Sequence, residues 1–124
     1  MGIIATDKAP KAIGPYSQAI AVGGFLFTSG QGGVDPSTGK LVEGGIQAET
    51  EQAIRNIAAL YEAAGTGFDK VVKTTCFLAD MKDFAAFNEV YARYFVSRPA
   101  RSCVAVKQLP VGFSCEIETI AVLD

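Results

Sequence analysis

The chain has 124 residues and a formal net charge of -2, with 49% hydrophobic and only 19% charged residues. This length fits one domain, residues 1–124, whose single hydrophobic core needs no disulfide or metal for stability. The acidic balance, with no run of lysines or arginines, argues against binding to nucleic acid or to an anionic membrane.

The first half of the chain predicts a β-hairpin followed by a helix. Residues 17–30 contain two β-like runs joined by Gly23-Gly24, and this dipeptide can adopt the positive φ angles of a two-residue hairpin turn. Residues 35–40, DPSTGK, predict a turn beside a further short strand. Apolar residues then recur at helical spacing over residues 46–64, and Gly65 provides a C-terminal stop signal.

The second half alternates strand and helix. Residues 69–80 are rich in β-branched side chains and predict a strand. Residues 83–95 predict a helix whose aromatic stripe belongs in the core, made of Phe84, Phe87, Tyr91 and Phe95. Two more strands are predicted over residues 101–108 and 114–123, separated by LPVGF. The element order is β-β-(β)-α-β-α-β-β, an α+β fold with a mixed sheet.

Two helices can cover only one face of such a sheet, since stable domains pack their elements in layers. The strands are apolar on both sides, so the uncovered face is also predicted to be apolar. The alternating positions that cannot all face the helices include Ala19, Ala21, Phe25, Phe27, Val72, Cys76, Cys103 and Ala105 on one side, and Ile20, Leu26, Val71, Val104 and Val106 on the other. We therefore expect the open face to pack against sister subunits in a closed homo-oligomer.

Targeting signals are not evident in the sequence. Asp7 and Lys8 stand where a signal peptide would need its apolar core, and no later apolar run is long enough to span a bilayer. We expect a cytoplasmic protein without membrane contact.

The chain contains no histidine and three cysteines, Cys76, Cys103 and Cys115, without a C-x-x-C pair. Histidine-based triads and zinc sites are excluded, and the cysteines are expected to be free thiols in a reducing compartment. We expect no metal and no cofactor. Any acid or base must be a carboxylate, a lysine, a tyrosine or a thiol.

A charged residue interrupts the strand-like stretch RPARSCVAV. Side chains two apart in a strand share a face, so Arg101 and Cys103 point to the same side. In the last strand, Glu116 and Glu118 likewise share a face. If the last two strands pair, one of these glutamates approaches Arg101. This arrangement is either a surface ion pair of small energetic value or an anion site with a carboxylate beside it.

Several motifs in order make the chain resemble the RidA/YjgF family of reactive-intermediate deaminases, and the resemblance covers nearly its whole length. They are AIGPYSQA at 12–19, TSGQ at 28–31, DPSTG at 35–39, KTTCFLADMKDFAAFNEVY at 73–91, PARSCVAV at 99–106 and EIETIAV at 116–122. The resemblance implies a chorismate-mutase-like α+β fold. It also implies a homotrimer with a β-barrel-like centre and a cleft at each subunit interface.

The implied activity is hydrolysis of 2-imino acids, such as 2-iminobutanoate and 2-iminopropanoate, to 2-keto acids and ammonia. These imines are products of PLP-dependent dehydratases. The partners implied are small 2-imino or 2-keto carboxylic acids, and no cofactor is required. A trimer that binds carboxylate metabolites without turnover is the alternative.

The resemblance also implies roles for individual residues. It places the carboxylate-binding arginine at Arg101, a pocket neighbour at Cys103 and the water-holding glutamate at Glu116. Tyr16 would close the pocket as a third catalytic residue. The remaining cleft residues would be Ser29, Gly30 and Asn88.

Structural roles compete with three of these assignments. Tyr16 can anchor a turn after Gly-Pro, Ser29 can bond the backbone at a strand end, and Asn88 can brace its helix. Cys103 is expected to be a pocket wall rather than a nucleophile, because no histidine or nearby lysine is evident to lower its pKa.

Two departures from the usual family pattern lie beside the implied cleft. Gly32-Gly33 replaces an apolar-Pro pair, and the loop before Arg101 is short. Both could alter the range of substrates.

Overall fold

The computed structural model describes residues 1–124 as one six-stranded mixed sheet with two helices, α1 and α2, on one face, and a separate two-stranded ladder. The elements are β1 (Gly2–Ile4), β2 (Ala19–Val22), β3 (Phe25–Thr28), β4 (Val34–Asp35), β5 (Lys40–Leu41), α1 (Gly45–Ala64), β6 (Val71–Leu78), α2 (Phe84–Tyr94), β7 (Ala100–Ala105) and β8 (Cys115–Val122). The sheet order is β1-β2-β3-β8-β6-β7, and β4 pairs with β5. The predicted α+β class is confirmed.

The strands of the sheet are antiparallel except for β6 and β7, which run parallel and are connected through α2. A parallel pair needs such a crossover because a short turn cannot return the chain to the same end of the sheet. The hairpin predicted at Gly23-Gly24 is present, and both glycines have positive φ angles of 60° and 81°.

Helix α1 begins and ends where glycine allows a left-handed backbone. Gly44 precedes the helix with φ 115°, and Gly65 follows it with φ 81° and donates from its N–H to the carbonyl groups of Tyr61 and Glu62. Its apolar stripe joins one core cluster that also takes residues from α2 and from the inner face of the sheet, namely Ile54, Ile57, Leu60, Phe87, Val90, Leu26, Leu78 and Ile117. Both helices therefore cover the same face.

The opposite face of the sheet carries an apolar patch that no element covers. Directly paired residues on neighbouring strands point the same way, which places Phe25 with Val122 and Phe27 with Ile120 on this side. The exposed apolar members of this open face include Ile3, which is 68% exposed, and Val22, Phe25, Phe27, Val72 and Val104, each more than 40% exposed. The residues that the sequence grouped with Phe25 and Phe27 but that point toward the helices are Ala19, Ala21, Cys76, Cys103 and Ala105.

Two features of the sheet were not predicted from the sequence. The sequence did not reveal β1, which has only three residues and too little alternation to be recognised. The last two strands do not pair with each other either, because β6 lies between β7 and β8 and pairs with both. No helix of the protein is both long enough and apolar enough to cross a membrane.

Candidate functional site

Arg101 lies in the edge strand β7 and its side chain reaches α2. Its Nη1 donates a hydrogen bond of 2.7 Å to Asn88 Oδ1. The guanidinium carbon lies 4.8 Å from the centre of the Tyr91 ring and 5.4 Å from the centre of the Phe84 ring. These three partners follow a helical spacing of four and three residues, so one face of α2 holds the whole guanidinium.

The charge of Arg101 has no carboxylate partner. The ion pairs of the chain are Lys8 with Glu62, Arg55 with Glu51 and Lys70 with Asp124, and all of these involve at least one exposed side chain. A half-buried guanidinium held by a neutral amide and two aromatic rings keeps donors free for an anion.

A buried hydrogen bond between α2 and β6 holds the residues around Arg101 in place. Tyr91 shares a hydrogen bond of 2.7 Å with Thr74, whose side chain is fully buried in β6 directly opposite Arg101. A cavity of about 650 Å³ adjoins the guanidinium and is lined in part by Asn88, Tyr91 and Arg98. Its size suits a small-molecule ligand.

Cys103 follows Arg101 on the same face of β7 and is half-buried. Burial raises the pKa of its thiol, and the nearby Arg101 only partly opposes this effect. Nothing at the site lowers this pKa below its ordinary value, which is consistent with the pocket-wall role that the sequence predicts for Cys103 in the deamination reaction.

Glu116 lies near the start of β8, next to the loop that follows β3. The pKa of its carboxyl group is raised above the ordinary 4.5, mainly by burial and to a smaller extent by the neighbouring charge of Glu118. Gly30 packs directly against it, since a Cβ at position 30 would lie 2.8 Å from Glu116 Cδ. Backbone hydrogen bonds of 2.8 and 3.0 Å between Gln31 and Ile117 fix the two segments side by side.

The polar groups of Ser29, which precedes Gly30, and of Tyr16 are engaged in local hydrogen bonds. Ser29 Oγ donates to the carbonyl oxygen of Ser17 at 2.6 Å. The Tyr16 hydroxyl accepts a hydrogen bond of 3.3 Å from the N–H of Ile13, and the side chain is 52% exposed. These contacts fit the structural alternatives, while Asn88 braces Arg101 directly.

The two charged groups do not meet within one chain. Arg101 pairs in register with Thr74, which faces the helices, whereas Glu116 pairs with Phe77, three residues further along β6 and therefore on the open face. Since β6 also separates their strands, the predicted approach of a glutamate to Arg101 across paired strands is wrong. The site residues form two groups: Arg101, Asn88 and Cys103 on the helix side, and Glu116 with Gly30 on the other.

Gly32 and Gly33 pack closely against neighbouring residues of the same chain. A Cβ at Gly32 would lie 2.4 Å from the Phe113 ring, and one at Gly33 would lie 2.8 Å from Glu49 Cα. Glu49 is itself held by two hydrogen bonds of 2.7 and 2.8 Å from Ser114. The two glycines therefore allow close packing of this loop against α1 and the start of β8.

The sequence prediction treated Phe84 and Tyr91 as core residues only. Tyr91 is indeed buried, but both rings also contact Arg101. Their spacing from Asn88 placed all three on one helical face, and this was the signal that could have identified them.

Comparison with known proteins identifies the family. The family described as "Endoribonuclease L-PSP" matches residues 6–123. The chain belongs to this family. It corresponds to the RidA/YjgF proteins that the sequence motifs indicate.

Curated relatives of this family match over nearly their full length. The mouse protein named "2-iminobutanoate/2-iminopropanoate deaminase" is 53% identical over 121 residues, which cover 97% of this chain and 90% of the relative. The human protein of the same name is 50% identical, with 97% and 88% covered.

Solved structures of the family have the same fold. RidA from the Antarctic bacterium Psychrobacter matches with a TM-score of 0.94 at 46% identity, covering 99% of this chain and all of the other. TdcF from E. coli with bound serine matches with a TM-score of 0.94 at 41% identity, covering both chains completely.

Proposed function

We propose that the protein is a 2-iminobutanoate/2-iminopropanoate deaminase, which hydrolyses small 2-imino acids to 2-keto acids and ammonia. The names of relatives at about 50% identity over almost the whole chain support this activity. Its substrates would be the enamine and imine products released by PLP-dependent dehydratases in the cytoplasm.

The observation that carries the proposal is the unpaired guanidinium of Arg101. A small imino acid offers its carboxylate as its main handle, and a bidentate contact to arginine is the strongest grip available from one side chain. Asn88, Tyr91 and Phe84 hold the guanidinium in place before a ligand arrives. The serine bound in the related TdcF structure carries the same kind of α-carboxylate.

Glu116 would act on water. Its carboxylate would orient a water molecule and take its proton as the water oxygen attacks the C=N carbon. Glu116 passes this proton to the imine nitrogen, which gives an amino alcohol. Transfer of the hydroxyl proton to the nitrogen, again through Glu116, lets the C–N bond break as the C=O bond forms, and ammonia and the 2-keto acid remain. Burial raises the pKa of Glu116 above its ordinary value, which makes its carboxylate a stronger base than a solvated glutamate.

A complete site requires a second subunit. Arg101 and Glu116 lie on opposite faces of one sheet, so the Arg101 group of one chain would meet the Glu116 group of its neighbour. The apolar open face provides a surface for such an assembly. A homotrimer, with three sheets around a barrel-like centre and a cleft at each interface, satisfies both requirements. Tyr16 and Ser29 would border this cleft.

The direct test generates 2-iminobutanoate with a PLP-dependent dehydratase and follows keto-acid and ammonia release with and without the protein. Since imines also hydrolyse in water, the expected result is acceleration above that background. Glu116→Gln keeps the shape of the side chain and loses the base, so we expect a rate roughly 100-fold to 10,000-fold lower with retained binding of 2-oxobutanoate. Full turnover by this variant would show that Glu116 is structural.

Mixed subunits test whether the site is shared. Arg101→Ala and Glu116→Gln are each expected to be strongly impaired alone. After unfolding and refolding together at equal amounts, about a quarter of the interfaces should combine an intact Arg101 with an intact Glu116 and regain activity. No recovery, or a stable monomer by sedimentation at micromolar concentration, would contradict the shared site.

The same assays separate the proposed enzyme from a carboxylate-binding trimer without turnover. Such a trimer would need Arg101 but would give no acceleration in the dehydratase assay. The activity should also be unchanged by chelators, because the proposed chemistry uses only protein side chains and water.

A further inference from the structure

Two of the three cysteines lie directly opposite each other on neighbouring strands. Cys76 in β6 and Cys103 in β7 are partners in the parallel register, and both point toward the helix side. Cys76 is completely buried, whereas Cys103 is partly exposed and lies two residues from Arg101. The deamination chemistry described above uses neither thiol.

We propose that Cys76 and Cys103 form an oxidisable dithiol that small hydroperoxides convert into a reversible disulfide beside Arg101. This modification site is independent of the deaminase activity, although its effect on turnover rests on that proposed function.

The sheet geometry allows the bond. Neighbouring strands lie about 4.8 Å apart, and disulfides join residues whose Cα atoms are roughly 4.4 to 6.8 Å apart. The Cβ atoms must come slightly closer than in an undistorted sheet. Strand β7 can make this shift because it is an edge strand, bonded only to β6. A disulfide formed with such strain is readily reduced.

Cys115 provides an internal comparison. It pairs with Leu78 rather than with a cysteine, and its thiol contacts the Thr50 hydroxyl at 3.5 Å. Its position relative to Cys76 is diagonal across β6 and β8, where separations of about 7 to 8 Å are too long for a disulfide. Cys115 is also fully buried, so peroxide should leave it unchanged.

Cys103 is the thiol that would react first. Burial raises the pKa of Cys76 and of Cys115 to about 12, while Cys103 is more exposed and has the Arg101 charge to favour its thiolate. A thiolate is the form that attacks peroxide, and the pKa of Cys103 is still raised. The reaction should therefore be faster in mildly alkaline solution.

The reaction balances with hydrogen peroxide as the oxidant. The Cys103 thiolate attacks one peroxide oxygen, an S–O bond forms as the O–O bond breaks, and the departing hydroxide becomes water. The Cys76 sulfur then attacks the Cys103 sulfur. The S–S bond forms, the S–O bond breaks and a second water leaves with the Cys76 proton. Two thiols lose two electrons, which the peroxide gains.

The test treats the reduced protein with hydrogen peroxide in mildly alkaline buffer, quenches it, blocks free thiols under denaturing conditions and measures its mass. We expect loss of two hydrogens, one remaining blockable thiol, and a peptide that links Cys76 to Cys103. Dithiothreitol should restore all three thiols. These readouts do not depend on any enzymatic activity.

Matched variants identify the pair. In Cys76→Val, which keeps an apolar side chain in the core, Cys103 has no partner and should proceed to the sulfinic form, with a gain of two oxygens that dithiothreitol does not reverse. Cys115→Val should still form the disulfide. Circular dichroism checks that both variants fold.

The proposal is overturned if wild type and Cys76→Val give the same product, or if the linked peptide joins Cys103 of two different chains. Turnover is measured separately. Because β7 carries both Cys103 and Arg101, the oxidised protein should lose at least about tenfold in kcat/KM and recover with dithiothreitol. If the disulfide form is fully active, the expected loss of turnover is refuted, while the mass result still shows the disulfide. If the deaminase assay fails altogether, the mass result is unaffected.

Discussion

Gly30→Ala is expected to impair catalysis through Glu116 while leaving the fold intact. The new Cβ would lie 2.8 Å from Glu116 Cδ, 2.9 Å from Oε2 and 3.0 Å from Cγ. Carbon atoms in favourable contact are about 3.5 Å apart or more, so the carboxylate must retreat by about 0.7 Å. Gly30 does not have a positive φ angle, and alanine can therefore adopt its backbone conformation.

The size of the effect follows from this displacement. A shift of about 1 Å in a catalytic group can cost roughly 100-fold in rate, so we expect kcat to fall between about tenfold and 100-fold. The Kd of 2-oxobutanoate should change less than about twofold, because Arg101 rather than Glu116 would hold the carboxylate. The melting temperature should stay near that of the parent, since the half-buried end of Glu116 can move.

The measurement combines steady-state kinetics on 2-iminobutanoate with calorimetric binding of 2-oxobutanoate. Gly2→Ala is the matched control, because its Cβ would meet only Ala21 Cβ at 4.0 Å, an ordinary contact. A Gly30→Ala variant with unchanged kcat would refute the inferred role of the Glu116 position. So would a loss carried entirely by weaker binding, which would mean that Gly30 contacts the substrate instead.

Changes at three further positions test the charges and the backbone. Arg101→Ala and Arg101→Lys should both lower kcat/KM by about 30-fold to several thousand-fold in folded protein, because loss of a buried charge contact costs about 2 to 5 kcal/mol. An Arg101→Lys variant with a nearly normal kcat/KM would contradict the bidentate contact. Glu118→Gln should lower the pKa of Glu116 and move the acid limb of the kcat/KM profile to lower pH, because removing a like charge favours the ionised carboxylate; an unmoved limb would assign it to another group. Val111 is 76% exposed and has a φ angle of 58°, a left-handed conformation that asparagine adopts more easily than valine. Val111→Asn should therefore raise the free energy of unfolding by about 1 kcal/mol in urea titrations. The same change at the exposed Val96, whose φ is not positive, should give no gain.

Local sequence patterns were sufficient to predict most elements. The helix predicted over residues 46–64 is α1, Gly45–Ala64, and the one predicted over 83–95 is α2, Phe84–Tyr94. Both have an apolar stripe and an end signal that depend only on neighbouring residues. The positive φ angles at Gly23 and Gly65 are also local properties, and they appear where the sequence indicated them.

The arrangement of the site could not be predicted in the same way. The spacing within β7 correctly put Arg101 and Cys103 on one face, but it carries no information about which strand lies next to β7. The insertion of β6 between β7 and β8 is a tertiary property, and it separates Arg101 from Glu116. The helical spacing of Phe84 and Tyr91 indicated a buried stripe, yet their contact with the guanidinium depends on where the edge strand passes α2.

Strand β8 joins the two halves of the sheet through contacts between residues far apart in the sequence. It is the only strand that joins β1, β2 and β3 to β6 and β7, and it brings together Thr28 and Thr119, which are 91 residues apart. Closing a loop of this length costs on the order of 4 kcal/mol of chain entropy before any contact is gained. The protein should therefore fold slowly for its size, in milliseconds to seconds. The amide protons of β8 should exchange with solvent only through global unfolding, whereas those of the edge strands β1 and β7 should exchange through local opening.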